Sequence, residues 1–236
     1  MPRILAQATT SSTSEVALNA TTYTEQTSGA QRSVLSSSAS DAAAGTGART
    51  VKITYYALAS DGTMTGPFSE TVTLNGTAAV GTVATNIALI ERFEILTVGS
   101  GGVSVGTISL NTKGDGTGTT FCSIAIADPR AWLGHHYVAS KRQCKITDVN
   151  FLGGVSTAAL FKLKVLSYPG TNALEAPLLG PVGASNAASQ LQTLQDWQHS
   201  PVVGPARVRI YVAPGTSGSQ TSYGNVGYVD EVGLSA

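Results

Sequence analysis

Charge is what this sequence has least of. Only 12% of its 236 residues are Asp, Glu, Lys or Arg, about half the share of an ordinary soluble domain. The 14 basic residues cancel the 14 acidic ones, so no strong electrostatic field is available to gather a phosphate backbone. Nucleic acid is therefore not expected as a direct partner. The densest basic run, Lys141-Arg142-Gln143-Cys144-Lys145, reads as a solvated turn. Cysteine is scarce too, with two residues in the chain, which excludes a disulfide-built scaffold. No run approaches the roughly 18 apolar residues of a membrane-crossing helix, and no apolar stretch follows the first few residues as in a secretory signal. The expectation is a protein made in the cytoplasm, with no membrane insertion.

What is present is alternation. Residues 49–58 set Val51, Ile53 and Tyr55 against Lys52, Thr54 and Tyr56. The same period of two recurs at 70–74, 91–98, 161–165 and 207–212, and it is what a strand with one wet and one apolar face requires. Between these runs lie Asp61-Gly62, Asn75-Gly76, the Gly-rich 99–102, Asp115-Gly116 and Gly153-Gly154, all turn chemistry. An all-β fold follows, an antiparallel β-sandwich of the jelly-roll kind. Residues 1–48 are rich in Ala, Ser and Thr and bury little by themselves, so they are expected to form an extended N-terminal arm or edge strands. The sandwich is assigned to 49–236. One segment, 187–198, places Ala187, Leu191, Leu194 and Trp197 near helical spacing, although a strand fits almost as well.

Four patterns bear on chemistry. Gly102-Val103-Ser104-Val105-Gly106 fits the nucleophile-elbow consensus of α/β-hydrolases, yet that device needs a strand-to-helix turn, and Thr107–Leu110 alternates like a strand. Gly114–Gly118 has the look of a phosphate loop but lacks the Lys-Ser/Thr ending and a following helix. His135 and His136 are adjacent, so in a strand they point to opposite faces and cannot share one metal. With no Cys or acidic group at ligand spacing around them, no metal site is expected, and one ring should be packed and the other exposed. Cys122 and Cys144 each share a face with apolar residues. They read as buried thiols, with a disulfide formed after cell lysis as the alternative. No catalytic residue and no cofactor are expected.

Several blocks resemble a family of tailed-bacteriophage virion proteins: residues 42–51 (AAAGTGARTV), 69–77 (SETVTLNGT), 96–102 (LTVGSGG), 105–110 (VGTISL) and 132–138 (WLGHHYV), the last leading into 141–146 (KRQCKI). The resemblance covers 42 to about 147 and leaves the C-terminal third outside it. It implies a jelly-roll-like structural protein in the virion, assembled in the bacterial host cytoplasm. Its partners would be copies of itself, as a trimer or other symmetric oligomer, and the major capsid protein or other virion proteins. A capsid decoration (cement) role leads. The alternative is a head-fibre or baseplate protein touching the host surface, for which Trp197, Tyr223 and Tyr228 would supply an exposed aromatic patch.

Overall fold

The structure is a computed structural model that describes residues 3–10, 16–17, 23–152, 159–167, 176–184, 191–195, 201–214 and 220–232. It is all-β, with no helix among the described residues and every strand pair antiparallel. The chain begins with β1 (Arg3–Thr10) and β2 (Val16–Ala17), then enters a run of seven strands. These are β3 (Ser33–Ser36), β4 (Ala48–Leu58), β5 (Met64–Thr73), β6 (Val80–Gly81), β7 (Ile87–Val98), β8 (Ile108–Asn111) and β9 (Thr120–Ile124). The remainder comprises β10 (His135–Val138), β11 (Arg142–Leu152), β12 (Ala159–Ser167), β13 (Ala176–Ala184), β14 (Leu191–Gln195), β15 (Val202–Val203), β16 (Ala206–Pro214) and β17 (Gln220–Val232).

By contacts the chain divides into two compact units. One is continuous, Thr21–Ala131; the other joins Met1–Ala20 to Trp132–Ala236. The composition change at residue 48 coincides with neither boundary, and the residues after it fall into two sets of sheets. The continuous unit holds a three-stranded sheet, β5-β4-β7, and a four-stranded sheet, β6-β3-β8-β9. Val51 and Ile53 of β4, Phe93 of β7, Leu110 of β8 and Phe121 of β9 are all fully buried in it. The alternation read from 49–58 holds for the Val51 side, although Tyr56 of the opposite set is buried as well. Four buried residues in a row, Ile87 to Ile90, begin β7 ahead of the segment that alternation marks.

The discontinuous unit holds two five-stranded sheets. In one the order is β1-β17-β11-β14, with β15 also on β11; in the other it is β10-β16-β12-β13, with β2 also on β16. Val208, Ile210 and Val212 of β16 form the apolar side that their spacing predicts, but Arg207 is buried too. The helical spacing at 187–198 is overturned: Leu191–Gln195 is the strand β14, paired with β11 from Asp148↔Gln195 to Leu152↔Leu191. A ladder partner with unmatched backbone groups outweighs a weak helical periodicity.

Candidate functional site

Two buried charged side chains organise the segment that composition sets apart as an arm. Arg32, just before β3, is 1% exposed. Its Nε donates to Ile87 O at 3.0 Å, Nη1 to Gln26 Oε1 at 3.2 Å and to Thr112 O, and Nη2 to Ser28 O at 3.1 Å and to Ile87 O. The guanidinium also lies 5.0 Å from the centre of the Phe121 ring. The planar fork of Arg suits this, since it addresses several acceptors in fixed directions. Asp41 is fully buried and accepts from Ser36 Oγ at 2.6 Å and from the N–H groups of Ala48 (2.7 Å), Val105 (3.0 Å) and Gly106 (2.8 Å). Burial by itself raises the Asp41 pKa, but these four donors outweigh it and hold the carboxyl below its ordinary value. Gly47 is required beside it, because a Cβ there would lie 2.0 Å from Asp41 Oδ1.

That arrangement disposes of the nucleophile-elbow reading. Val105 and Gly106 belong to the G-x-S-x-G stretch, and their N–H groups are occupied by the Asp41 carboxylate. Ser104 is buried, its Oγ accepts from Ala127 N at 3.1 Å, and the chain continues into strand β8. The Gly114–Gly118 loop is a hairpin turn between β8 and β9: Asp115 Oδ1 accepts from Thr117 N at 2.9 Å, and Gly116 has φ +82°. In the basic run, Lys141 is a turn residue at φ +62° and Arg142 starts β11.

The histidine pair departs most from expectation. Both His135 and His136 are buried, because all four residues of β10 are covered on both sides. His136 lies opposite Val208 of β16. Its ring stacks on Tyr228 of β17, in the unit's other sheet, with centroids 3.9 Å apart and 28° between planes. Its Nε2 sits 3.0 Å from both Oδ1 and Oδ2 of Asp230. Asp230 is directly opposite Cys144 in the β11–β17 ladder, and Tyr228 is opposite Ile146. Opposed residues in an antiparallel pair project to the same face, so Cys144 and Asp230 stand side by side. The ligand atoms of His136, Cys144 and Asp230 all lie within 4.8 Å of one another. The expectation that no ligand set surrounds the histidines is thereby corrected: the partners come from strands remote in sequence, joined by register rather than by spacing.

The two cysteines fall in different units. Cys122 in β9 belongs to the continuous unit and Cys144 in β11 to the other; both are buried and neither forms a disulfide. Burial pushes the Cys122 thiol pKa strongly upward, which suppresses its thiolate. Tyr228 is 5% exposed and stacked on His136, so its ring is withdrawn from any exposed aromatic patch. Tyr223 lies in β17 opposite Leu152, and its side chain, like Trp197, lies outside the described residues.

No known family and no curated protein matches the chain. Two solved structures show a faint likeness. One, of the Gx strain of infectious bursal disease virus, is 9% identical with a TM-score of 0.26, covering 100% of this chain and 72% of its own. The other, from a T13 particle of the same virus, is 12% identical with a TM-score of 0.21, covering 84% of this chain and 56% of its own. At these scores the likeness carries no argument about function.

Proposed function

We propose that the chain is a non-enzymatic structural protein of a tailed-phage virion, a cement protein bound to the outer head lattice as a trimer or other symmetric cluster. The observation that carries this reading is a charge-poor, neutral β protein that leaves large apolar side chains in water. Val83 is 86% exposed, Val203 68% and Ile126 59%. Near-zero net charge favours association over life as a free monomer, and these side chains offer apolar contact points to a partner. A protein tiled among copies of itself and a capsid shell turns both into assets. The block resemblance to phage virion proteins supports the same reading. Four of its blocks map onto strands and turns of the continuous unit, around β4, β5, β7 and β8.

The test is binding of the purified protein to expanded, empty capsids of its phage, followed by cryo-electron microscopy of the intact particle. Density repeated over the outer head lattice is expected. Absence of binding, or density at the neck or tail tip alone, would overturn the cement assignment. The latter would favour a head-fibre or baseplate role. Val83→Lys and Ile126→Lys test the surface directly: each should leave the unfolding free energy within about 0.5 kcal/mol of the wild type, and at least one should weaken capsid binding.

A further inference from the structure

We propose that His136, Cys144 and Asp230 form a site for a divalent transition metal such as Zn²⁺ that ties together the two sheets of the discontinuous unit. The ligands come from three strands, β10, β11 and β17, and β10 lies in a different sheet from the other two. Their ligand atoms already lie within 4.8 Å of one another, with Nε2 and both carboxylate oxygens at 3.0 Å. Tetrahedral zinc with bonds of about 2.0–2.3 Å holds its ligand atoms about 3.3–3.8 Å apart. Small side-chain adjustments therefore suffice.

The donor set fits zinc on three grounds. Nitrogen, thiolate sulfur and carboxylate oxygen are its ordinary ligands, and sulfur discriminates against Ca²⁺ and Mg²⁺. Charge balances as well: the cation's two positive charges meet one thiolate and one carboxylate around a neutral imidazole, so no net charge is buried. On binding, Cys144 gives its Sγ proton to solvent, the proton that His136 Nε2 shares with Asp230 is exchanged for one on Nδ1 so that the ring stays neutral, and the His136–Asp230 hydrogen bond is replaced by two metal bonds. Finally, the ring is aimed before metal arrives, because stacking on Tyr228 fixes the plane of His136. Access is from the side of Asp230, whose side chain is 26% exposed while that of His136 is 4%. A water, or the second oxygen of Asp230, completes the fourth position there.

The experiment is a Co²⁺ titration of the full-length protein, reduced with a non-chelating phosphine and stripped of metal beforehand. A saturable visible spectrum with a near-ultraviolet thiolate-to-cobalt band is expected, lost on adding Zn²⁺. Cys122→Ser should keep that band and Cys144→Ser should abolish it. Asp230→Asn should weaken Co²⁺ binding by more than about tenfold, since even an outer-sphere partner is worth about 10–100-fold. Zn²⁺ should also raise the melting temperature of the wild type. A wild-type protein with no thiolate band at excess Co²⁺ would overturn the site, and so would a band that disappears with Cys122→Ser. Because the wild type and Cys122→Ser decide the matter, the result stands even if a ligand variant does not fold.

Discussion

At the scale of single residues, the low-complexity segment before β4 is held by polar burial where apolar burial is scarce. Asp41→Ala removes the acceptor of four hydrogen bonds and leaves the N–H groups of Ala48, Val105 and Gly106 facing a void. Such a loss should cost about 3–4 kcal/mol in a urea melt at neutral pH. The pH dependence follows from the depressed Asp41 pKa. The folded value lies below the reference 3.8, so the folded state binds its proton later than the unfolded state as acid is added. The stabilisation is then complete above the unfolded pKa, shrinks as pH falls below it, and is gone once pH passes the folded value. The gap in urea midpoint between wild type and Asp41→Asn should therefore narrow from pH 6 to pH 3; a constant gap would contradict this. Arg32 is the other test. Arg32→Lys keeps the charge but loses the fork that reaches Gln26, Ser28, Ile87 and Thr112, and should destabilise by about 2–3 kcal/mol.

At the scale of elements, one substitution acts by two mechanisms at two turns. Gly62 closes the β4–β5 hairpin at φ +81° with open space around it, whereas Gly47 has an ordinary backbone and the Asp41 carboxylate 2.0 Å from where a Cβ would lie. Gly62→Ala should thus cost about 1 kcal/mol of backbone strain. Gly47→Ala should cost about 2–3 kcal/mol by displacing a buried ligand of three N–H groups. Denaturant melts of the two variants separate the effects. The same contrast explains what could be read in advance. Strands such as β4 and β16 announce themselves by alternation, and the Asp61-Gly62 and Asp115-Gly116 turns by residue type, because those signals are local. The role of residues 23–48 was hidden, because a count of apolar residues does not register that Arg32 and Asp41 each take some of their partners from 50 or more positions away. The metal-ligand set was hidden for a related reason. Its spacing is set by the pairing of Cys144 with Asp230 and by the crossing of a second sheet, and neither is written in any window of sequence.

At the scale of the whole molecule, the continuous unit is the simpler folding problem. Its boundaries, Thr21 and Ala131, enclose every strand of its two sheets. A fragment of residues 21–131 should fold alone, giving dispersed amide resonances and a cooperative melt; a collapsed, undispersed spectrum would contradict this. The complementary unit has no such continuity, for β1 pairs with β17 from Arg3↔Gly227 to Thr10↔Gln220. On a ribosome, that first strand leaves the exit tunnel with its partner still unwritten. It must wait while the whole of the continuous unit is translated and free to fold, then close last, when residues beyond 220 emerge. A chain interrupted before β17 would therefore leave β1 without its partner and β11 short of one neighbour. Translation of β17 is thus the step that closes this sheet around its first strand.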